Sequence, residues 1–211
     1  MGVPRPKRSR VSAALAAYPF AAAARAHSSR GNLTRNHLSL LAAIVLVAVL
    51  HEGMHAGVAI AYGEFQAFRI RPLGLEVVYS TPAPERHGSQ WALIAGASSV
   101  ATLALGYALF VIRRDAARFR SPFLRAAFYW LTMLGLLVDP LNLSIGAFVY
   151  GGNANGIAFG LGVSRYWVQA VSGAVLLANR ELVVQKLLPA YGVTTRHPLF
   201  VPWLRRPRIT T

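Results

Sequence analysis

Residues 38–62, LSLLAAIVLVAVLHEGMHAGVAIAY, make a 25-residue apolar run whose only imidazole or charged side chains are His51, Glu52 and His55. At 1.5 Å rise per residue, about 20 residues cross a hydrocarbon core of about 30 Å. This run therefore spans a bilayer with some tilt and carries His51 deep into it. Ionisable groups at that depth are costly and mark function. Residues i and i+4 share one face of a helix, so His51 and His55 present two imidazoles to one point. A catalytic zinc ion takes such ligands and keeps one position open for water. Glu52, next to His51, is then the base that takes the proton of that water, the H-E-x-x-H arrangement of zinc peptidases. The plainer alternative is a pair of unrelated polar residues packed between helices. That suits a lone core histidine better than two histidines and a glutamate in one apolar run.

An H-E-x-x-H motif inside a membrane-spanning run resembles the site-2 protease family of intramembrane zinc metalloproteases. The resemblance is carried by residues 38–62 and, more weakly, by residues 131–156; the two tails carry none of it. It implies a helical membrane domain, one zinc ion and hydrolysis of peptide bonds. It also implies a third metal ligand, an Asp on a later membrane helix followed by Gly.

Asp139 is the candidate for that ligand. Residues 123–150 form an apolar segment interrupted by Val138-Asp139-Pro140-Leu141-Asn142. Asp139 is the only acidic residue besides Glu52 well inside an apolar run, and no Lys or Arg lies near it in this segment. A carboxylate in lipid needs a cation or a metal. The expected set is His51, His55 and Asp139 with one water. Asn142, one turn from Asp139, is expected to orient a ligand or the substrate. The alternative is a protonated or Arg-paired structural Asp. The chain departs from the family pattern here. Pro140 follows Asp139, and an Asn-Gly pair appears only at Asn155-Gly156. If Asn155 took the family's Asp position, the third ligand would be neutral and weaker. Asn153 and Asn155 read as turn residues.

Between the first two apolar runs, residues 65–79 are rich in aromatic and β-branched types around Pro72-Leu73-Gly74. They read as two short strands about a turn, with a free edge suited to pairing with an unfolded substrate. His87, in the loop that follows, reads as solvated. Residues 91–112 form the second span, with a small-residue patch at Gly96, Ala97, Ser98 and Ser99 suited to helix packing. Residues 164–188 read as the fourth span, amphipathic at its end. The expected fold is an all-α multi-pass membrane protein with about four transmembrane helices and a small β-hairpin between the first two. Its parts are a basic tail or leader at 1–36, a membrane metalloprotease domain at 37–188 and a basic tail at 189–211.

Residues 1–36 hold seven Lys or Arg and no acid, and Ala24-Arg25-Ala26 has the small-x-small form of a cleavage site. The chain has 211 residues, a net charge of +15 and no cysteine, which excludes disulfides and thiolate metal sites. Its arginines cluster beside apolar runs, as for contact with anionic lipid rather than nucleic acid. The expected partners are the bilayer and a membrane protein or peptide substrate, in a bacterial inner membrane or an organellar one. The charge distribution puts both termini in the cytoplasm, opposite to the sense implied by the family. Two rival functions remain: a catalytically silent relative that escorts membrane proteins, and an ion or metal transporter. The second needs polar residues along several spans, and spans two and four offer few.

Overall fold

The computed structural model describes residues 18–71, 74–195 and 197–204. The basic block at 4–10, Pro72 and Leu73 of the expected turn, and Arg196, Arg205, Arg206 and Arg208 lie outside the described residues. The chain divides into two units, Met1–Leu38 and Ser39–Thr211. The first is helical from Tyr18 onward. The second carries the hairpin, the remaining helices and the candidate site.

Helix α1, Tyr18–Ala61, contains the motif run and begins inside the stretch expected to be a tail. Strands β1, Phe65–Arg71, and β2, Gly74–Tyr79, form the expected hairpin, antiparallel with Phe68 opposite Val77 and Ile70 opposite Leu75. Helix α2 is Ser89–Val111. Helix α3, Pro122–Leu141, starts at a Ser121 cap with Pro122 in its first turn, and runs on through a π turn at Asn142–Gly146. Gly151, at a positive φ of 66°, turns the chain into helix α4, Gly152–Leu161. Helix α5, Arg165–Leu182, ends in a second π turn at Val183–Leu187.

Three helices among the described residues are long and apolar enough to cross a membrane: Leu33–Ala61, Ser89–Val111 and Pro122–Val149. Residues 164–188, expected as a fourth crossing, are not among them, and the reason lies in α3. Pro140 has no N–H to donate to the carbonyl of Leu136, four residues earlier. That orphaned acceptor is buried, and Asn179 of α5 supplies the missing donor at 2.8 Å. The Asn179 oxygen in turn accepts from the Tyr107 hydroxyl at 2.6 Å. Gln169 of α5 likewise donates to the carbonyl of Ser144 inside the π turn, at 3.0 Å. The polar residues that lower the hydropathy of α5 thus face inward, with Gln169, Ser172 and Asn179 buried. Tyr166, Trp167, Val171 and Leu177 face outward. The sequence expectation that the second and fourth segments hold few polar residues meets a different arrangement: α2 buries Ser98, Ser99 and Thr102.

Glycines set how closely these helices meet. A Cβ on Gly106 of α2 would lie 2.7 Å from the Gly135 carbonyl carbon in α3. A Cβ on Gly160 of α4 would lie 2.2 Å from the Ala92 nitrogen in α2. Small residues of this kind let helix backbones approach closely.

Candidate metal centre

One turn of α1 brings the two imidazoles edge to face, with ring centroids 4.9 Å apart and planes at 78°. Each ring is held at its Nδ1. The Nδ1–H of His55 donates to the Ile94 carbonyl of α2 at 2.6 Å. The Nδ1–H of His51 donates to Oδ1 of Asp139 of α3 at 3.1 Å. Those partners assign the proton to Nδ1 in both rings and leave both Nε2 atoms unprotonated, as acceptors. The two Nε2 atoms face each other 3.3 Å apart. Ligands about 2.0–2.1 Å from a tetrahedral zinc ion sit about 3.3–3.4 Å from one another, so the pair has the edge length of a zinc site. The side-chain oxygen or nitrogen ligand atoms of His51, Glu52 and His55 all lie within 4.8 Å of each other. Metal-bound histidines characteristically hold their second nitrogen on a carbonyl or carboxylate, as both do here. The residues present fit a metal ion.

The predicted residues come together, but not all in their predicted places. His51, Glu52 and His55 converge. Asp139 is buried and reaches His51, yet at Nδ1, across the ring from the nitrogen that faces His55. Its other oxygen accepts from the Thr102 hydroxyl of α2. The residue that reaches the shared corner is Asn153 of α4, whose amide nitrogen lies 3.2 Å from His51 Nε2 and 3.1 Å from His55 Nε2. Asn153, read from sequence as a turn residue, is thus part of the cluster. Asn155 instead lies over Gly151. Ser98 of α2 also touches His55 Nε2, at 2.9 Å. Asn142 lines the cavities on both sides of His51 and Glu52.

From sequence, Ser98 reads only as a member of a packing patch, and Thr102 does not stand out. A signal was present, because the two stand one turn apart and make a polar stripe on an apolar helix. For Asn153 no comparable local signal exists.

Of the two cavities that reach His51 and Glu52, the larger, about 520 Å³, opens from the histidines to the hairpin and the start of α2. Leu75, Val77 and Tyr79 of β2 form part of its wall. Glu52 hydrogen-bonds the backbone of Val77, so one edge of β2 pairs with β1 and the other meets the site. Tyr79 packs edge-on against Trp91, and the Arg86 guanidinium lies over both rings at 4.7 and 4.9 Å from their centroids. Burial, with the nearby Glu52 charge, pushes the Tyr79 hydroxyl up to about 12. It is therefore a neutral donor on the cavity wall. A second cavity, about 260 Å³, reaches His51 and Glu52 from between α1 and α3 and is mostly apolar.

Searches of protein-family models, curated proteins and solved structures find no match to this chain.

Proposed function

We propose that this chain is an integral membrane zinc peptidase that hydrolyses peptide bonds of membrane proteins or peptides within or beside the bilayer. The observation that carries the proposal is the pair of Nε2 atoms 3.3 Å apart, both left unprotonated by bonds at Nδ1, with a glutamate beside them. When bound there, zinc polarises a carbonyl and lowers the pKa of its water. His51 and His55 would hold the ion. Glu52 takes the proton of the attacking water and delivers it to the leaving amine. Its bond to Val77 ties that carboxylate to the strand beside the site. A substrate must be unwound for its carbonyls to be reached, since a helix hides them in hydrogen bonds. The inner edge of β2 suits an extended segment, and the Asn142 amide, on the wall of both cavities, suits its orientation. The apolar outer face and polar inner face of α5 suit a fourth crossing, which makes four in a multi-pass protein.

A second reading, a silent relative that binds membrane proteins, is favoured by one contact. The Asn153 amide satisfies both histidine lone pairs, so the pair is balanced even without a cation. Zinc content of purified protein, measured alongside cleavage of a panel of single-pass membrane reporters, separates the two. Under the peptidase reading, Glu52→Gln abolishes cleavage and keeps stoichiometric zinc, while His55→Ala loses both. Zinc-free wild-type protein that still binds the reporters sinks the peptidase reading.

A further inference from the structure

We infer that the charge of this metal site is displaced: Asn153 supplies a neutral third ligand through its amide oxygen, and the carboxylate acts from Asp139 through the ring of His51. The inference rests on the zinc reading above and assigns the third position of that site.

The argument begins with a triangle. His51 Nε2, His55 Nε2 and the Asn153 amide atom stand 3.3, 3.2 and 3.1 Å from one another. That is close to one face of a tetrahedron with the edge expected for zinc. The amide end facing the histidines is nitrogen, as it must be where two lone pairs need a donor. A half-turn of the amide puts its oxygen at the same place, and an amide presents either end with little change in shape. With a cation between the rings, the oxygen faces inward.

Such a set, two imidazoles and an amide, brings no negative charge to a dication in a low-dielectric interior, where uncompensated charge is expensive. Asp139 supplies it one ring further out. It is 3 % exposed, and its two oxygens are taken by His51 Nδ1–H and the Thr102 hydroxyl. A carboxylate on the far nitrogen makes an imidazole a stronger donor to a metal. The close meeting of α2 and α3 at Gly106 and Gly135, one turn from Thr102 and Asp139, is what lets that hydroxyl reach. Asp139 is therefore a positioning residue, and Asn153 touches the ion.

The test moves the charge back. Zinc affinity of the detergent-solubilised full chain is measured by competition with a chromogenic chelator, with elution volume and helical circular dichroism as checks on folding. Asp139→Asn is expected to weaken zinc about 10- to 100-fold, the usual loss when such an outer partner is removed. Asn153→Asp is expected to tighten it by a similar factor, and Asn153→Ala to weaken it. The Asn153→Asp/Asp139→Asn double variant is expected to return near wild type, which a merely structural Asp139 would not allow. Asn153→Asp and Asn153→Ala leave the Asp139–Thr102 bond intact and keep the test alive if Asp139→Asn does not fold. If His55→Ala loses zinc but neither Asn153 variant changes affinity, the inference fails and the zinc reading stands. Should His55→Ala bind zinc like the wild type, both fail. An unrescued double variant overturns the role given to Asp139.

Discussion

Two histidines at i and i+4 share a face in any helix, but they share a point only when both rings are turned the same way. Here the turning is done at Nδ1, by a backbone carbonyl from α2 and a carboxylate from α3. Three helices thus orient a motif that belongs to one. Tyr79 offers a check on the same neighbourhood that needs no metal. Its hydroxyl is shifted from an ordinary value near 10 to about 12 by burial. The folded state therefore holds the proton more tightly than the unfolded chain. The stability this contributes is full below pH 10 and declines as pH rises from about 10 to about 12. Burial pushes the Tyr191 hydroxyl up to about 12 as well, so an ultraviolet titration of tyrosinate is expected to contain a late component that Tyr79→Phe reduces and the Tyr79→Phe/Tyr191→Phe double variant reduces further. A late component left unchanged by Tyr79→Phe would mean that the Tyr79 hydroxyl is not held in this way.

At the scale of elements, the break in α3 explains the composition of α5. Pro140 removes one helix hydrogen bond, and Asn179 replaces it from the neighbouring helix. Replacing Asn179 with Leu leaves the Leu136 carbonyl without that donor in the interior, at a cost of about 1–3 kcal/mol. The cost is conditional. Pro140→Ala restores the local N–H, so the same Asn179→Leu change is expected to cost less in that background, while the loss of the bond from the Tyr107 hydroxyl is common to both. A thermodynamic cycle of the four proteins in detergent measures the coupling; additive effects would mean that Asn179 does not stand in for the missing donor. The π turn that follows Pro140 is supported in the same way by Gln169. A helix that looks too polar to cross a membrane is one whose polar groups are spent on its neighbour.

For the Ser39–Thr211 unit as a whole, glycines mark where helix backbones come closest. Gly160→Ala puts a methyl 2.2 Å from the Ala92 nitrogen, whereas Gly57→Ala meets nothing within 4 Å. The first is expected to lower stability by about 1–3 kcal/mol through overpacking. The second, inside a helix, is expected to be neutral or stabilising by about 0.5–1 kcal/mol. Thermal unfolding of the purified variants compares them directly. A larger question is the number of crossings. If α5 crosses as a fourth helix, reporters fused to the two ends of the chain are accessible on the same side of the membrane. Three crossings put them on opposite sides.

Much of this was open to reading in one dimension. An apolar run of 25 residues sets a membrane-spanning length whatever surrounds it, and i, i+4 spacing sets a shared face because both follow from helix geometry alone. The hairpin and the placing of Asp139 inside an apolar segment were legible for the same local reasons. Which nitrogen of His51 meets Asp139, and which of several amides arrives at the histidine pair, depended on the angles at which α2, α3 and α4 pack. Those helices meet closely at glycines far apart in sequence. Asn153 lies 102 residues from His51 and only 3.2 Å from it, and no local periodicity encodes such a meeting.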